Sequence, residues 1–201
     1  MDVEQANKRN QKVRGENSLL FVGRASYEKG LQFLLESLPH VRNEYKLYIL
    51  TAGDYFHQKI APVIQSLDLS RRVEVHMDTS YEETARFYSM ADVAIVPSVW
   101  FETFCLVGIE AFSHLTPVIG TRTGGIKDWC VDGETGLLVN IFDTKGMAKA
   151  IDTLLDDPEL RARFGSNGYL RVQKQYSEEV YFECLVRLYE RLSANGKGNS
   201  N

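Results

Sequence analysis

The chain has 201 residues, 44% of them apolar and 25% charged, with a formal net charge of −4. This is the composition of an ordinary globular protein, and an acidic balance without any Lys/Arg cluster gives no footing to a nucleic-acid partner. No apolar run reaches the roughly 18 residues of a membrane-crossing helix, and the polar N-terminal stretch lacks the apolar segment of a secretory signal. Cys105, Cys130 and Cys184 have no CxxC spacing, which speaks against a disulfide framework or zinc site and for a reducing, cytoplasmic setting.

Residues 1–17 have neither a helical nor a strand period and are expected to be a flexible leader or linker remnant. Ser18–Val22 is a short apolar run that predicts a first parallel strand. Gly23 and Arg24 follow, then Lys29 and a helix over Gly30–Val41 with Leu31, Leu34, Leu35 and Leu38 at the helical period. Arg24 and Lys29 thus fall between a strand end and a helix start. The helix dipole favours anions there, so the two cations point either to a bound anion or to a solvated surface. Lys46–Thr51 predicts a second strand, Phe56–Leu67 a helix, and Arg72–His76 a third strand. Ser80-x-x-Glu83 is a capping box opening a helix over Tyr81–Met90. His40, His57 and His76 have no ligand spacing and are expected to be structural or surface residues.

Val93–Val96 predicts a fourth, buried strand, followed by a turn, an apolar helix and a fifth strand at Pro117–Ile119. After the Gly124-Gly125 loop, Thr135–Asn140 predicts a sixth strand. Asp143-Thr144 caps a helix over Lys145–Leu155, and Pro158 restarts a helix to Lys174. A last helix runs from Ser177 to Leu192, and residues 193–201 have the composition of a disordered tail. Strands alternating with helices predict an α/β fold: one Rossmann-like parallel sheet over residues 18–192, with helices on both faces. GxGxxG is absent from the first turn, so a dinucleotide cofactor is not indicated.

The chemistry concentrates between Pro97 and Gly125. Thr103 is expected to cap the helix, leaving the amides of Phe104, Cys105 and Leu106 as an anion site. Glu110 follows Thr103 by about 10 Å along the helix. Its neighbours Leu106, Val107, Ile109, Ala111 and Phe112 are apolar all round, so this glutamate needs a partner. Glu102 sits at the helix mouth. A phosphate at the helix start could place a hydroxyl-bearing group against Glu110 and another against Glu102, the order found in a nucleotide diphosphate sugar. Gly124-Gly125 reads either as a plain turn or as a close approach of backbone to ligand.

Gly23-Arg24-x4-Lys29-Gly30, Pro97-Ser98-x3-Glu102-x7-Glu110-Ala111, Thr116–Ile119, Gly124-Gly125 and Asp132–Val139, in that order and spacing, resemble the C-terminal, donor-binding domain of retaining GT-B glycosyltransferases, family 4. The resemblance runs from about Ser18 to Leu192. It implies that Arg24 and Lys29 neutralise the donor diphosphate as a leaving group, in place of a metal ion. It further implies that Glu110 holds the ribose hydroxyls, that Glu102 contacts the transferred sugar, and that Gly23, the glycine pair and the Phe104–Leu106 amides approach the donor. No cofactor or metal is expected. The chain departs from the pattern at Cys105 and Leu115, where the family has glycine, and at Lys127-Asp128 in the glycine loop. Leu115 is therefore expected to change the helix C-cap. The N-terminal acceptor half of such an enzyme has no counterpart here, so peripheral contact with the inner membrane face would come through that half. A non-catalytic nucleotide-sugar-binding module is the alternative, with an epimerase or phosphorylase of the same fold a third.

Overall fold

The computed structural model describes residues 17–196. The expected leader therefore lies outside the described residues except for Asn17, and so does the tail beyond Gly196.

Among the described residues six strands form one wholly parallel sheet in the order β3-β2-β1-β4-β5-β6: β1 Ser18–Val22, β2 Lys46–Thr51, β3 Val73–Met77, β4 Val93–Val96, β5 Val118–Thr121 and β6 Gly136–Val139. The strand order reverses between β1 and β4, which pair through Leu19 with Val93 and Leu20 with Ala94. Alternating side chains send Leu19, Phe21, Leu47, Ile49, Val93 and Ile95 to one face and Leu20, Leu50, Ala94, Val96 and Val118 to the other. Both faces are covered, as a parallel sheet requires.

The helices are α1 Leu31–Ser37, α2 Ala61–Ser66, α3 Tyr81–Met90, α4 Leu106–Ser113, α5 Ile126–Trp129, α6 Thr144–Asp156, α7 Pro158–Gln175 and α8 Glu178–Gly196. Leu34 and Leu35 of α1, Ile64 of α2 and Met147, Ile151 and Leu154 of α6 cover the first face. Tyr88 of α3, Ile109 and Phe112 of α4, Trp129 of α5 and Val172 of α7 cover the second. Right-handed crossovers from strands fanning in opposite directions put α1 and α2 on one face and α4 on the other.

Strands β1, β2 and β4 and helix α3, with its Ser80–Glu83 capping box, have the predicted bounds. Several expectations are corrected. The expected Gly30–Val41 helix is broken into α1 and a 3-10 turn at Leu38–His40, where Pro39 cannot supply a helical N–H, and a further 3-10 turn at Tyr27–Lys29 precedes it. The Phe56–Leu67 helix opens as a π turn at Phe56–Ile60. Pro62 cannot donate to the Gln58 carbonyl, and the Ala61 N–H reaches back to Phe56 instead. β3 and β5 each start one residue later than predicted, and α5 occupies part of what reads as a plain glycine loop. α8 continues to Gly196 rather than stopping at Leu192.

Away from the β1/β4 junction, Asp152 of α6 fastens the loop before β2. It accepts from the backbone and side chains of Arg42 and Asn43, the Asn43 Nδ2 contact being 2.9 Å. Burial pushes this carboxyl up, but the Asn43 and Arg42 donors together outweigh burial and hold it below its ordinary value. Asp152→Asn is expected to cost roughly 1–3 kcal/mol, seen as a lower thermal midpoint. A folded-state value below the unfolded one places that contribution above about pH 4. The difference between wild type and variant should be full there and shrink as pH falls through the lowered folded value. A difference that grows on acidification would refute this.

Candidate functional site

The site lies where the strand order reverses, beyond the carboxyl ends of β1 and β4, which is where open α/β sheets bind ligands. Gly23 N–H donates to Leu50 O at 3.0 Å, so the chain leaves β1 still laddered to β2. The turn through Tyr27–Lys29 then folds against the loop after β4. Val99 N–H donates to Glu28 O at 2.9 Å. Gly30, at φ 67°, lies so close to Pro97 that a Cβ would overlap the Pro97 carbonyl oxygen. With the two loops joined, Lys29 Nζ meets Glu102 Oε1 at 2.7 Å. Ser98 Oγ donates to the same oxygen at 2.7 Å, so both donors fall on Oε1. Glu102 is largely buried and Lys29 less so, with side chains 14% and 29% exposed. An ammonium has three protons, and this contact uses one of them.

The end of β5 and the loop after it tie down the Glu102 loop. Thr121 Oγ1 donates to Ser98 O, Thr123 Oγ1 to Trp100 O and Gly125 N–H to Glu102 O. Alternate residues Thr121, Thr123 and Gly125 thus bind alternate residues of the loop after β4, two through side-chain hydroxyls and one through the backbone. A Cβ on Gly124 would overlap Glu102 O, and one on Gly125 would overlap Thr103 O. The close approach that these glycines permit is therefore to the protein's own Glu102–Thr103 backbone.

Thr103 is not the helix cap. The cap position is Cys105, whose φ of 68° lies in the left-handed region, and α4 begins only at Leu106. Phe104 and Cys105 precede the helix, and of the three expected amides only that of Leu106 belongs to its first turn. A side chain at positive φ costs about 1–2 kcal/mol, so this is a strained position beside the site. Burial, then the Glu102 charge, push the Cys105 thiol up to about 11, against the pull of Lys29. It stays a neutral thiol and adds no negative charge beside Glu102. Leu115 does not change the C-cap as expected. It takes φ 62°, with Leu115 N–H to Phe112 O and Thr116 N–H to Ala111 O, the hydrogen-bond pair of a glycine-ended helix.

Glu110 lies on α4, half-buried, and Tyr88 Oη donates to its Oε2 at 2.9 Å. It borders a recess of about 70 Å³ between α3 and α4, lined by Tyr81, Thr84, Ala85, Tyr88, Ser113 and His114. The structure thus brings Lys29, Ser98 and Glu102 together and places Glu110 along the helix that follows. Arg24 is exposed on the turn after β1, its charge acting on Glu28. Sequence reasoning named Ser98 only as part of a motif, without its contact to Glu102, and missed Tyr88 and His114. His114 is four residues after Glu110, a helical spacing that could have found it. Tyr88 is on a different helix, and no local pattern ties it to Glu110. His40 and His57 are exposed, and His76 pairs with Glu74.

The family model for glycosyl transferases group 1 matches residues 2–171. The capsular polysaccharide biosynthesis glycosyltransferase CapM of Staphylococcus aureus is 28% identical over 98% of this chain and 52% of its own length. Sucrose-phosphate synthase of Thermosynechococcus elongatus superposes with a TM-score of 0.85 at 31% identity, over 96% of this chain and 49% of that one. Anabaena Alr3699/HepE, solved in complex with UDP, shares the fold with a TM-score of 0.82 at 19% identity, over 96% of this chain and 56% of that one. The chain spans about half the length of these proteins. The five motifs, the parallel sheet with its reversal at β1 and β4, and the family match agree: the chain belongs to the group 1 glycosyltransferases.

Proposed function

We propose that this chain is the donor-binding half of a retaining glycosyltransferase, family 4 in type, and takes a nucleotide diphosphate sugar. The observation that carries the reading is the Lys29–Glu102 pair across the strand reversal, with Glu110 on the helix that leaves it. The UDP held by Alr3699/HepE supports the ligand class.

In this reading Lys29 keeps one proton on Glu102 and turns its other two to the diphosphate, with Arg24 adding charge from the same turn. Negative charge develops on the diphosphate as the glycosidic bond breaks, so cations fixed there lower the barrier. They take the place of a metal ion. Glu102, held on Oε1 by Lys29 and Ser98, offers its other oxygen to the transferred sugar. Glu110 accepts from the ribose hydroxyls. Transfer of a hexose to a glycan, lipid or small-molecule acceptor needs the further half of the enzyme, which would close over the donor and exclude water. The free cysteines suit a cytoplasmic setting, with membrane contact through that further half. Among the described residues no helix is long and apolar enough to cross a membrane.

A binding-only module is the second reading. Against it stands Glu102, since a nucleotide binder needs no second carboxylate at the phosphate end.

The test is a calorimetric titration with UDP, GDP and ADP in chelator. One nucleotide should bind selectively, unchanged on adding magnesium, and Glu110→Ala should weaken it by roughly 10–100-fold. Binding only with magnesium, or equal binding by wild type and variant, would refute the assignment.

A further inference from the structure

Glu110 is held by a side chain that the donor-binding reading does not use. Tyr88 is 2% exposed, and its hydroxyl donates to Glu110 Oε2 at 2.9 Å. It is fixed from three directions. Its carbonyl accepts from Thr116 Oγ1 at 2.6 Å, its position on α3 fixes the backbone, and its ring stacks on His114, centroids 5.7 Å apart and planes 13° apart. His114 is fixed in turn. Ser89 Oγ lies 3.0 Å from His114 Nδ1 and also donates to Ala85 O at 3.0 Å. With its single proton given to Ala85, the serine accepts from Nδ1–H, which fixes the imidazole tautomer. Burial lowers the His114 pKa, against the pull of the Glu110 charge, and so keeps the ring neutral.

A glutamate side chain has three rotatable bonds and in solution samples many carboxylate orientations. Recognition of a vicinal diol needs one orientation, with an oxygen for each hydroxyl. The Tyr88 bond uses one of about four acceptor positions on the carboxylate and leaves Oε1 and the rest of Oε2 for a ligand. We infer that Tyr88, backed by His114 and Thr116, is a positioning residue that holds Glu110 in the orientation that reads a ribose diol, and so sets the preference for ribonucleoside over 2′-deoxyribonucleoside donors. The inference rests on the reading of Glu110 as the ribose ligand. Burial and the nearby Glu110 charge keep the phenol protonated, so the donor is present throughout the working pH range.

The experiment is a paired titration of the whole chain with the best-binding of UDP, ADP and GDP and with its 2′-deoxy counterpart. Wild type, Tyr88→Phe, His114→Leu and Glu110→Ala are compared, each checked by thermal melting. Wild type should prefer the ribonucleotide. Tyr88→Phe, which keeps the ring and the stack, should lose about tenfold in ribonucleotide affinity with the deoxy form almost unmoved. His114→Leu, which keeps the hydroxyl and loosens the ring, should show a smaller fall in the same ratio, roughly two- to tenfold. A purely structural role would lower the melting temperature and weaken both ligands alike. If Glu110→Ala abolishes the preference while Tyr88→Phe and His114→Leu keep it, the positioning role is wrong and the ribose role stands. If wild type has no ribose preference, or binds none of the nucleotides, the reading of Glu110 fails and this inference falls with it.

Discussion

Gly124→Ala is expected to lower the thermal midpoint by several degrees and to abolish nucleotide binding in the same variant. Two effects add at this position. The φ of 47° costs an L-residue about 1–2 kcal/mol. The new Cβ would also overlap Glu102 O and crowd Glu102 N at 2.7 Å, and backbone cannot rotate aside as a side-chain tip can. The Glu102 loop must move, and its ties to the β5 loop go with it: Gly125 N–H to Glu102 O and Thr123 Oγ1 to Trp100 O. A total cost of about 3 kcal/mol or more is expected, at roughly 2–4 °C per kcal/mol for a domain of this size. Gly133→Ala supplies the control. Its φ is 78° with nothing within 4 Å of the added carbon, so it carries the conformational strain without the collision. Should the two variants melt within about 2 °C of each other, the collision at Glu102 would be disproved.

Lys29→Ala should lower ligand affinity strongly with little effect on stability. The Lys29–Glu102 pair is partly solvated, its side chains 29% and 14% exposed, so its loss should cost about 1 kcal/mol or less in folding. For a diphosphate the loss is greater, because a charge-assisted donor disappears from the place where the ligand's charge is concentrated. Affinity for the best-binding nucleoside diphosphate should fall roughly 10–100-fold, while the free nucleoside binds as before. The remaining affinity should depend less on salt. Lys29→Arg should recover only part of the loss, since a guanidinium fork does not superpose on an ammonium held by Ser98 and Glu102. An equal loss for nucleoside and diphosphate would place Lys29 away from the phosphates.

The sequence carried the strands well where burial on both faces left only apolar residues, as in Val93–Val96, all four of which are buried. It carried α3 through the Ser80–Glu83 box, a signal that is local and chemically specific. It was less informative where the backbone answers to a distant neighbour. Thr103 reads as a cap, but its backbone is packed against Gly125, and the left-handed turn at Cys105 moves the helix start to Leu106. Leu115 reads as a departure from a glycine-ended helix, yet packing holds it at φ 62° with the cap's hydrogen bonds intact.

Residue spacing linked Glu102 with Glu110 and set Lys29 between a strand end and a helix start, and the resemblance to the glycosyltransferase motifs joined the three into one group. Local patterning also determined the layering, since period-2 strands and period-3.6 helices each bury one kind of surface. What only the tertiary structure decided was the pairing within the group: that both of Glu102's donors fall on Oε1, that the glycine pair cradles the protein's own backbone, and that Tyr88 and His114 stand behind Glu110. The Lys29–Glu102, glycine-pair and Tyr88–Glu110 contacts join residues 22 to 73 positions apart. Their geometry depends on how the strands sit side by side and on which helix lies over which, and no local run of residues encodes either.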